Sequence, residues 1–405
     1  MMNESLYNLS VRLHSLSVFR SLLSDPVLQC LLAYLDCVEE ASASKAAALY
    51  AAFAARLYDT HTVNLSRYIQ NIVNDNENVF ICSIGSGQKP SSFLEESLCE
   101  DLKILQEVAE LTPAKLRTGL AWDGFLPGWE TDSIDLTESY RHRVENIGKY
   151  GYGIYARYHM FYINQNTQIV PVRHPDNTRL SDLIDYTREK AIILENTKAL
   201  LEGKPAANIL LTGDAGTGKS STVKAVVNEL YGEGLRILEV RKEQLHEIPS
   251  VLDELTENPL KFILFIDDLS FARDDDNFSA LKAILEGSVS AKSQNVVIYA
   301  TSNRRHLVKE KFSDREGDDV HFNDTMQEIV SLSERFGIQI TFQRPDKSTY
   351  LDIVRHLAET RGIRYDEEKL NAAAERFVLM RSTRSARAAK QFVDSLIAGS
   401  TEDIL

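Results

Sequence analysis

The sequence predicts an α/β protein with a five-stranded parallel sheet, a helical segment after it and a mostly helical region before it. Three observations carry this. Short apolar, β-prone runs (Ile209–Thr212, Arg236–Val240, Phe262–Ile266, Val296–Thr301, Ile338–Phe342) alternate with helical stretches, the pattern of parallel strands joined by crossover helices. The first run flows directly into Gly213-Asp214-Ala215-Gly216-Thr217-Gly218-Lys219-Ser220, a match to GxxxxGK[ST]. Beyond Pro345 only helical patterns remain, over Lys347–Arg361, Glu367–Met380 and Thr383–Leu396.

Residues 1–147 read as a helical domain. Asp25-Pro26 is an N-cap and first-turn pair ahead of Leu28, Leu31, Leu32, Leu35 and Val38 at helical spacing. Ser92-Phe-Leu-Glu95 has the pattern of a capping box opening a second helix, with Leu94, Leu98, Leu102 and Leu105 on one face. Trp122 and Trp129 fall in a Gly- and Pro-containing loop and are expected to pack in the core. No catalytic constellation is visible here, so this region is expected to choose a macromolecular partner. Residues 148–172 change character: Tyr155, Tyr158, Phe161, Tyr162 and Ile163 precede a polar turn at Asn164–Thr167, and Ile169–Val172 follows. A β-hairpin leading into a nucleotide-binding core over 173–344 is the reading, with a helical lid over 345–405.

Bulk properties narrow the setting. The chain has 405 residues and a net charge of −14, enough length for two or three domains. Residues 1–150 hold 20 acidic against 12 basic side chains, so that surface does not invite phosphate backbones. Between Arg355 and Lys390 the balance reverses, with nine Lys/Arg against five Asp/Glu. The four cysteines (Cys30, Cys37, Cys82, Cys99) form no CxxC pair and are expected as buried thiols on helices. The nine histidines, His246 and His306 among them, show no metal-ligand spacing. The start lacks a basic and apolar leader pattern, and the Ala-rich run Ala46–Ala55 is too short to span a bilayer. A cytoplasmic protein without membrane contact is expected.

The chemistry concentrates at the ends of the strands. In the glycine-rich loop, backbone N–H groups can turn inward around a phosphate at a helix N-terminus. Lys219 would reach the β- and γ-phosphates and Ser220 would hold Mg²⁺. A glycine-rich turn ending in Lys-Ser also satisfies the bare pattern; the strand before it and the helix after it (Val223, Val226, Val227, Leu230) supply the context the motif requires. Phe262–Ile266 ends in Asp267-Asp268, placing Asp267 to orient the metal. Val296–Thr301 ends in Ser302-Asn303, an amide able to bond a γ-phosphate and an attacking water.

This series resembles an AAA+ ATPase module, whose αβα sandwich, head-to-tail oligomers and Mg²⁺-dependent ATP hydrolysis are therefore expected. More narrowly, His174-Pro-Asp176, Leu194-Glu-Asn-Thr197, Asp267–Phe271, Thr301–Leu307 and Ser331–Gly337 are similar to a bacterial group of single-module members catalogued as a domain of unknown function. The likeness covers roughly residues 150–400. It implies that the loop Gly213–Ser220 with Ser221 binds ATP, that Ser220 and Asp267 hold Mg²⁺, and that Asp268 occupies the place of the catalytic glutamate. Asn303 corresponds to sensor 1, and Arg335 to an arginine finger acting on ATP held by a neighbouring subunit. Arg384 is the choice for sensor 2, as the residue one turn into the lid helix, with Arg387 as competitor. Leu180–Tyr186, Leu183 and Ile184 in particular, resembles the segment that covers adenine.

Two departures matter. Asp268 is one methylene shorter than glutamate, so slow water activation is expected, since reach decides a base's competence before pKa does. Where unfoldases of this superfamily carry an aromatic–hydrophobic–glycine pore loop, this chain reads Arg241–His246, which does not support peptide threading. The leading expectation is an ATPase that couples nucleotide state to conformation or assembly. The alternative is a nucleotide-switched loader on nucleic acid using the locally basic lid. A small-molecule kinase is disfavoured by the Arg335 pattern.

Overall fold

A computed structural model describes residues 2–37, 42–118, 120, 122–270, 276–286, 294–303, 334–381 and 384–398. Val38, Phe271, Arg304–Leu307 with His306 among them, Ser331–Ser333 and Thr383, all named above, lie outside them. The chain forms two compact units, Met1–Arg157 and Tyr158–Leu405. Among the described residues no helix is long and apolar enough to cross a membrane.

The first unit is helical. Its helices start where side chains accept orphan N–H groups: Asp25 Oδ1 takes those of Val27 and Leu28. Ser42, Asn64, Asn78, Ser91, Thr112 and Asp135 each cap a following helix. The cap of the helix Ser92–Ala109 is thus Ser91, one residue earlier than the capping-box reading. Apolar periodicity closes the core around Tyr34, Tyr50, Phe53 and Trp129, whose rings meet edge-on or tilted at 5.0–5.8 Å. Trp129 is buried and its indole N–H donates to Leu111 O at 2.7 Å, whereas Trp122 is exposed, correcting its expected core position. The cysteines sit on helices as free thiols, but none is fully buried: three are half-buried and Cys99 is exposed.

Among the described residues, the second unit is built on a mixed, mostly parallel sheet of seven strands, two more than expected. They are β1 (Met160–Ile163), β2 (Ile169–Pro171), β3 (Ile209–Gly213), β4 (Leu235–Glu239), β5 (Lys261–Ile266), β6 (Val296–Ser302) and β7 (Ile338–Phe342), in spatial order β2-β1-β4-β5-β6-β3-β7. The extra pair is the hairpin. Its first strand pairs antiparallel with β2 and parallel with β4, so the hairpin extends the sheet. Tyr155 is not part of it; Ile154–Arg157 is a helical turn.

Alternation sorts the central strands. Ile209, Leu211, Ile237, Ile263, Phe265, Val297, Tyr299, Ile340 and Phe342 point to one face, against the helices Thr187–Leu201 and Lys219–Leu230. Leu210, Leu238, Leu264 and Ile298 are buried on the other. Burial on both faces is why these strands read as continuous apolar runs. Asn196 and Thr197 fasten the helix Thr187–Leu201 to the sheet. The Asn196 amide brackets the backbone of Ala207 at 2.8 and 2.9 Å, and Thr197 Oγ1 bonds Tyr299 Oη at 2.8 Å. Among the described residues three helices follow β7: Lys347–Thr360, Glu367–Arg381 and Ala386–Ile397, packed on Tyr350, Val354, Leu370, Ala374 and Phe392.

The last of these begins at Ala386 because Ser385 Oγ accepts from Ala388 N. Arg384 therefore precedes the cap, and Arg387, not Arg384, stands in the first turn. This corrects the boundary on which the choice between them was made.

Candidate functional site

The loop from Gly213 to Ser220 leaves β3 at the carboxyl rim of the sheet. β6 and β7 flank β3, and β5 lies beyond β6, all parallel, so the ends of four strands lie at that rim. Gly216 adopts φ +80°, and a Cβ placed on it would lie 3.0 Å from Arg387 Cβ and 3.1 Å from Ser385 Oγ. Only glycine fits both demands. Thr217 is buried and closes the loop, its Oγ1 donating to Asp214 O at 2.9 Å.

Lys219 opens the following helix and is buried. Its Nζ donates to Gly213 O at 2.7 Å, Asp214 O at 2.9 Å and Asn303 Oδ1 at 3.0 Å. Burial pushes the Lys219 ammonium below the ordinary lysine range, the carboxylates of Asp267, Asp214 and Asp268 work against that, and Arg387 adds to it. Ser220 Oγ donates to Asp267 Oδ1 at 2.6 Å. The same oxygen accepts from Thr301 Oγ1 at 2.6 Å, which in turn accepts the backbone N–H of Asp268 at 3.0 Å.

Asp268 is exposed and sits in the left-handed region at φ 55°, a conformation that costs a non-glycine residue about 1 kcal/mol. Its Oδ1 accepts from Asn303 Nδ2 at 2.6 Å. Asn303 thus spans two groups, Lys219 through its oxygen and Asp268 through its nitrogen. Thr301 is the residue the sequence reading passed over; a hydroxyl closing an otherwise apolar strand was the available signal.

Other candidates lie at different distances from this centre. The Arg387 backbone N–H donates to Gly216 O at 3.3 Å, placing that helix against the loop. Arg384 instead faces Glu375, with Nη2 3.6 Å from Oε1. Ala215 is exposed, and Ser221 is half-buried in the first turn of the helix. Leu183 O accepts from Lys190 Nζ at 2.5 Å, and Ile184 packs against the core of the three C-terminal helices. The next two residues, Asp185 and Tyr186, are both left-handed (φ 70° and 58°), turning the chain sharply into the helix Thr187–Leu201. Arg335 is half-buried and precedes β7, hence at the amino rim of the sheet, opposite the loop. The five residues of β7 alone separate the rims by about 16 Å.

A cleft of about 400 Å³ opens beside the loop, lined by Gly213, Asp214, Asn303 and the run Thr341–Arg344. Arg344 grips Asp214 at two points, Nε to Oδ2 at 2.8 Å and Nη2 to Oδ1 at 3.2 Å. These residues are 130 apart in sequence, and no local pattern announces the pair.

Chemically, the arrangement offers an ammonium, a hydroxyl beside a carboxylate, and an amide beside a second carboxylate, all at one strand-end rim. Ser220 Oγ and Asp267 Oδ1 already converge, a donor set that fits Mg²⁺, which takes few protein ligands and completes its shell with water and phosphate oxygens.

Residues 156–400 match the family model described as Protein of unknown function (DUF815). No curated protein matches the chain.

Proposed function

The chain belongs to the DUF815 family, and from the site it carries we propose that it is a Mg²⁺-dependent ATPase of the AAA+ type. In this reading it hydrolyses ATP slowly and couples nucleotide state to conformation or assembly. The observation that carries it is the convergence of Lys219, Ser220, Asp267 and Asn303, drawn from three strand ends, on one point beside the glycine-rich loop. The β4, β5, β6, β3 and β7 strands with their covering helices then form the αβα sandwich of that superfamily, extended at one edge by the hairpin.

Each residue has a task its contacts suit. Lys219 trades the Asn303 oxygen and loop carbonyls for phosphate oxygens. Ser220 and Asp267 would hold Mg²⁺, which would offset charge on the phosphates. Thr301 fixes the Asp267 carboxylate. Asp268 is the group available to orient an attacking water, and Asn303 decides whether its carboxylate is free. A short side chain already held by an amide supports slow turnover. In the helix Ala386–Ile397, Arg387 is the better sensor 2, because it touches the loop while Arg384 faces Glu375.

The place of Arg335 supports a role in a neighbour's site. From the amino rim it cannot reach the loop of its own chain, so contact with a γ-phosphate requires a head-to-tail interface, which closes into a ring or runs on as a spiral.

The test is Mg²⁺-dependent phosphate release by purified protein beside Lys219→Ala. We expect measurable release from the parent and background from the variant. Equal background release from both, with folded protein in each case, removes the ATPase reading.

A further inference from the structure

The Asp214–Arg344 pair is placed by the sheet itself. β3 and β7 run parallel with Gly213 opposite Phe342. Asp214 is the first residue past one strand and Arg344 the second past the other, so the ladder register delivers both to the same rim. The backbone of Asp214 is pinned, since its carbonyl accepts from Lys219 Nζ and Thr217 Oγ1. Its side chain is not pinned in that way: the two partners remain 51% and 55% exposed.

A carboxylate at the mouth of a polyphosphate site repels the ligand the site is built for. Arg344 cancels that charge with a planar two-point contact. The bond is weak, because a half-exposed ion pair is worth less than about 1 kcal/mol. Two oxygens of one phosphate group accept the same two-point contact, and the group carries more charge than a carboxylate. Arg344 also lines the cleft with Asn303, the residue that shares its oxygen with Lys219. The guanidinium therefore has a second acceptor within the same cleft once a terminal phosphate lies beside Asn303.

We propose that Asp214 and Arg344 form a charge latch in which Arg344 leaves Asp214 for the terminal phosphate of a nucleoside triphosphate, so that the pair discriminates triphosphate from diphosphate. This rests on the ATP-binding reading above. The terminal phosphate recruits the arginine; a diphosphate ends short of it and leaves the latch closed, with Asp214 neutralised. Arg344 acts here as a nucleotide-contacting residue of the chain's own site, distinct from the trans-acting role of Arg335.

The experiment is titration calorimetry of the full chain with Mg-ATP and Mg-ADP, using the parent, Lys219→Ala, Arg344→Gln, Asp214→Asn and the double variant. Both latch residues are half-exposed, so folding is expected to survive, and unfolding curves check this. Arg344→Gln is expected to weaken Mg-ATP about fivefold or more while Mg-ADP shifts less than about twofold. Asp214→Asn frees the arginine and tightens Mg-ATP by a similar factor. The double variant loses that gain. Parent-like ATP-to-ADP ratios in both single variants, or equal losses for the two nucleotides, overturn the latch while leaving the ATP-binding reading intact. No Mg-ATP binding by the folded parent overturns both.

Discussion

Replacing Gly216 by alanine tests how tightly the glycine-rich loop and the C-terminal helices are joined. At φ +80° an added Cβ meets Arg387 Cβ at 3.0 Å and Ser385 Oγ at 3.1 Å. The backbone conformation costs alanine about 1 kcal/mol. Relief of the contacts requires the start of the helix Ala386–Ile397 to move by a few tenths of an ångström. That movement strains the Ser385 cap on Ala388 N, worth about 1 kcal/mol. It also lengthens the bond from Arg387 N to Gly216 O, already 3.3 Å and worth under about 1 kcal/mol. The sum is about 2–3 kcal/mol, or a Tm lower by about 6 °C for a unit of this size.

Gly218 is the matched control. Its φ is +95°, but a Cβ there meets nothing within 4 Å, so Gly218→Ala carries only the backbone cost, about 1 kcal/mol and about 3 °C. Differential scanning calorimetry of the two variants measures the difference. Equal losses, or the larger loss at Gly218, would refute the claim that the loop and the helix are in steric contact at Gly216.

Three further outcomes follow from the same geometry. Thr301→Val keeps the shape of a buried side chain but removes the hydroxyl between Asp267 and the Asp268 N–H; urea denaturation should show a loss of about 1–2 kcal/mol, with weaker Mg²⁺ dependence of nucleotide binding, and Thr301→Ser should restore part of both. Lys219, held by burial below the ordinary lysine range, carries fewer protons folded than unfolded between its folded pKa and the ordinary value. Its contribution to stability therefore rises with pH through that window, while Mg-ATP affinity, which needs the ammonium, falls through it; paired unfolding and binding profiles against Lys219→Met isolate the two opposed trends. Arg335→Ala should abolish ATP-promoted oligomers in native mass spectra without weakening Mg-ATP binding to the monomer, and oligomers unchanged by the substitution would remove Arg335 from the interface.

How much was legible depended on sequence separation. The glycine-rich loop, the apolar strands and the acids at Asp267-Asp268 are written in contiguous residues, because phosphate-cradling turns and buried parallel strands each impose composition on a short stretch. The Asn196–Thr197 motif was visible as a pattern, yet its work, fastening a helix to Tyr299 and Ala207, required the fold. Two helix starts were misjudged. Ser91 caps its helix in place of Ser92, and Ser385 sets the start of the last helix beyond Arg384, because the cap is decided by which hydroxyl faces a free N–H, a matter of backbone direction rather than residue type. That error moved the choice between Arg384 and Arg387.

The sequence by itself determined the glycine-rich loop, the acids at Asp267-Asp268 and the amide of Asn303, since each is dictated by a local run of a few residues. Only the tertiary structure decided who faces whom. Strand order sets β6 between β3 and β5 and so brings Asn303 to both Lys219 and Asp268. The register of β3 on β7 brings Arg344 to Asp214, and parallel direction sends Arg335 to the far rim. Burial on both faces marks each strand as an apolar run, but which strand lies beside which is selected by completion of the whole sheet, and that choice leaves no mark in any short window of the chain.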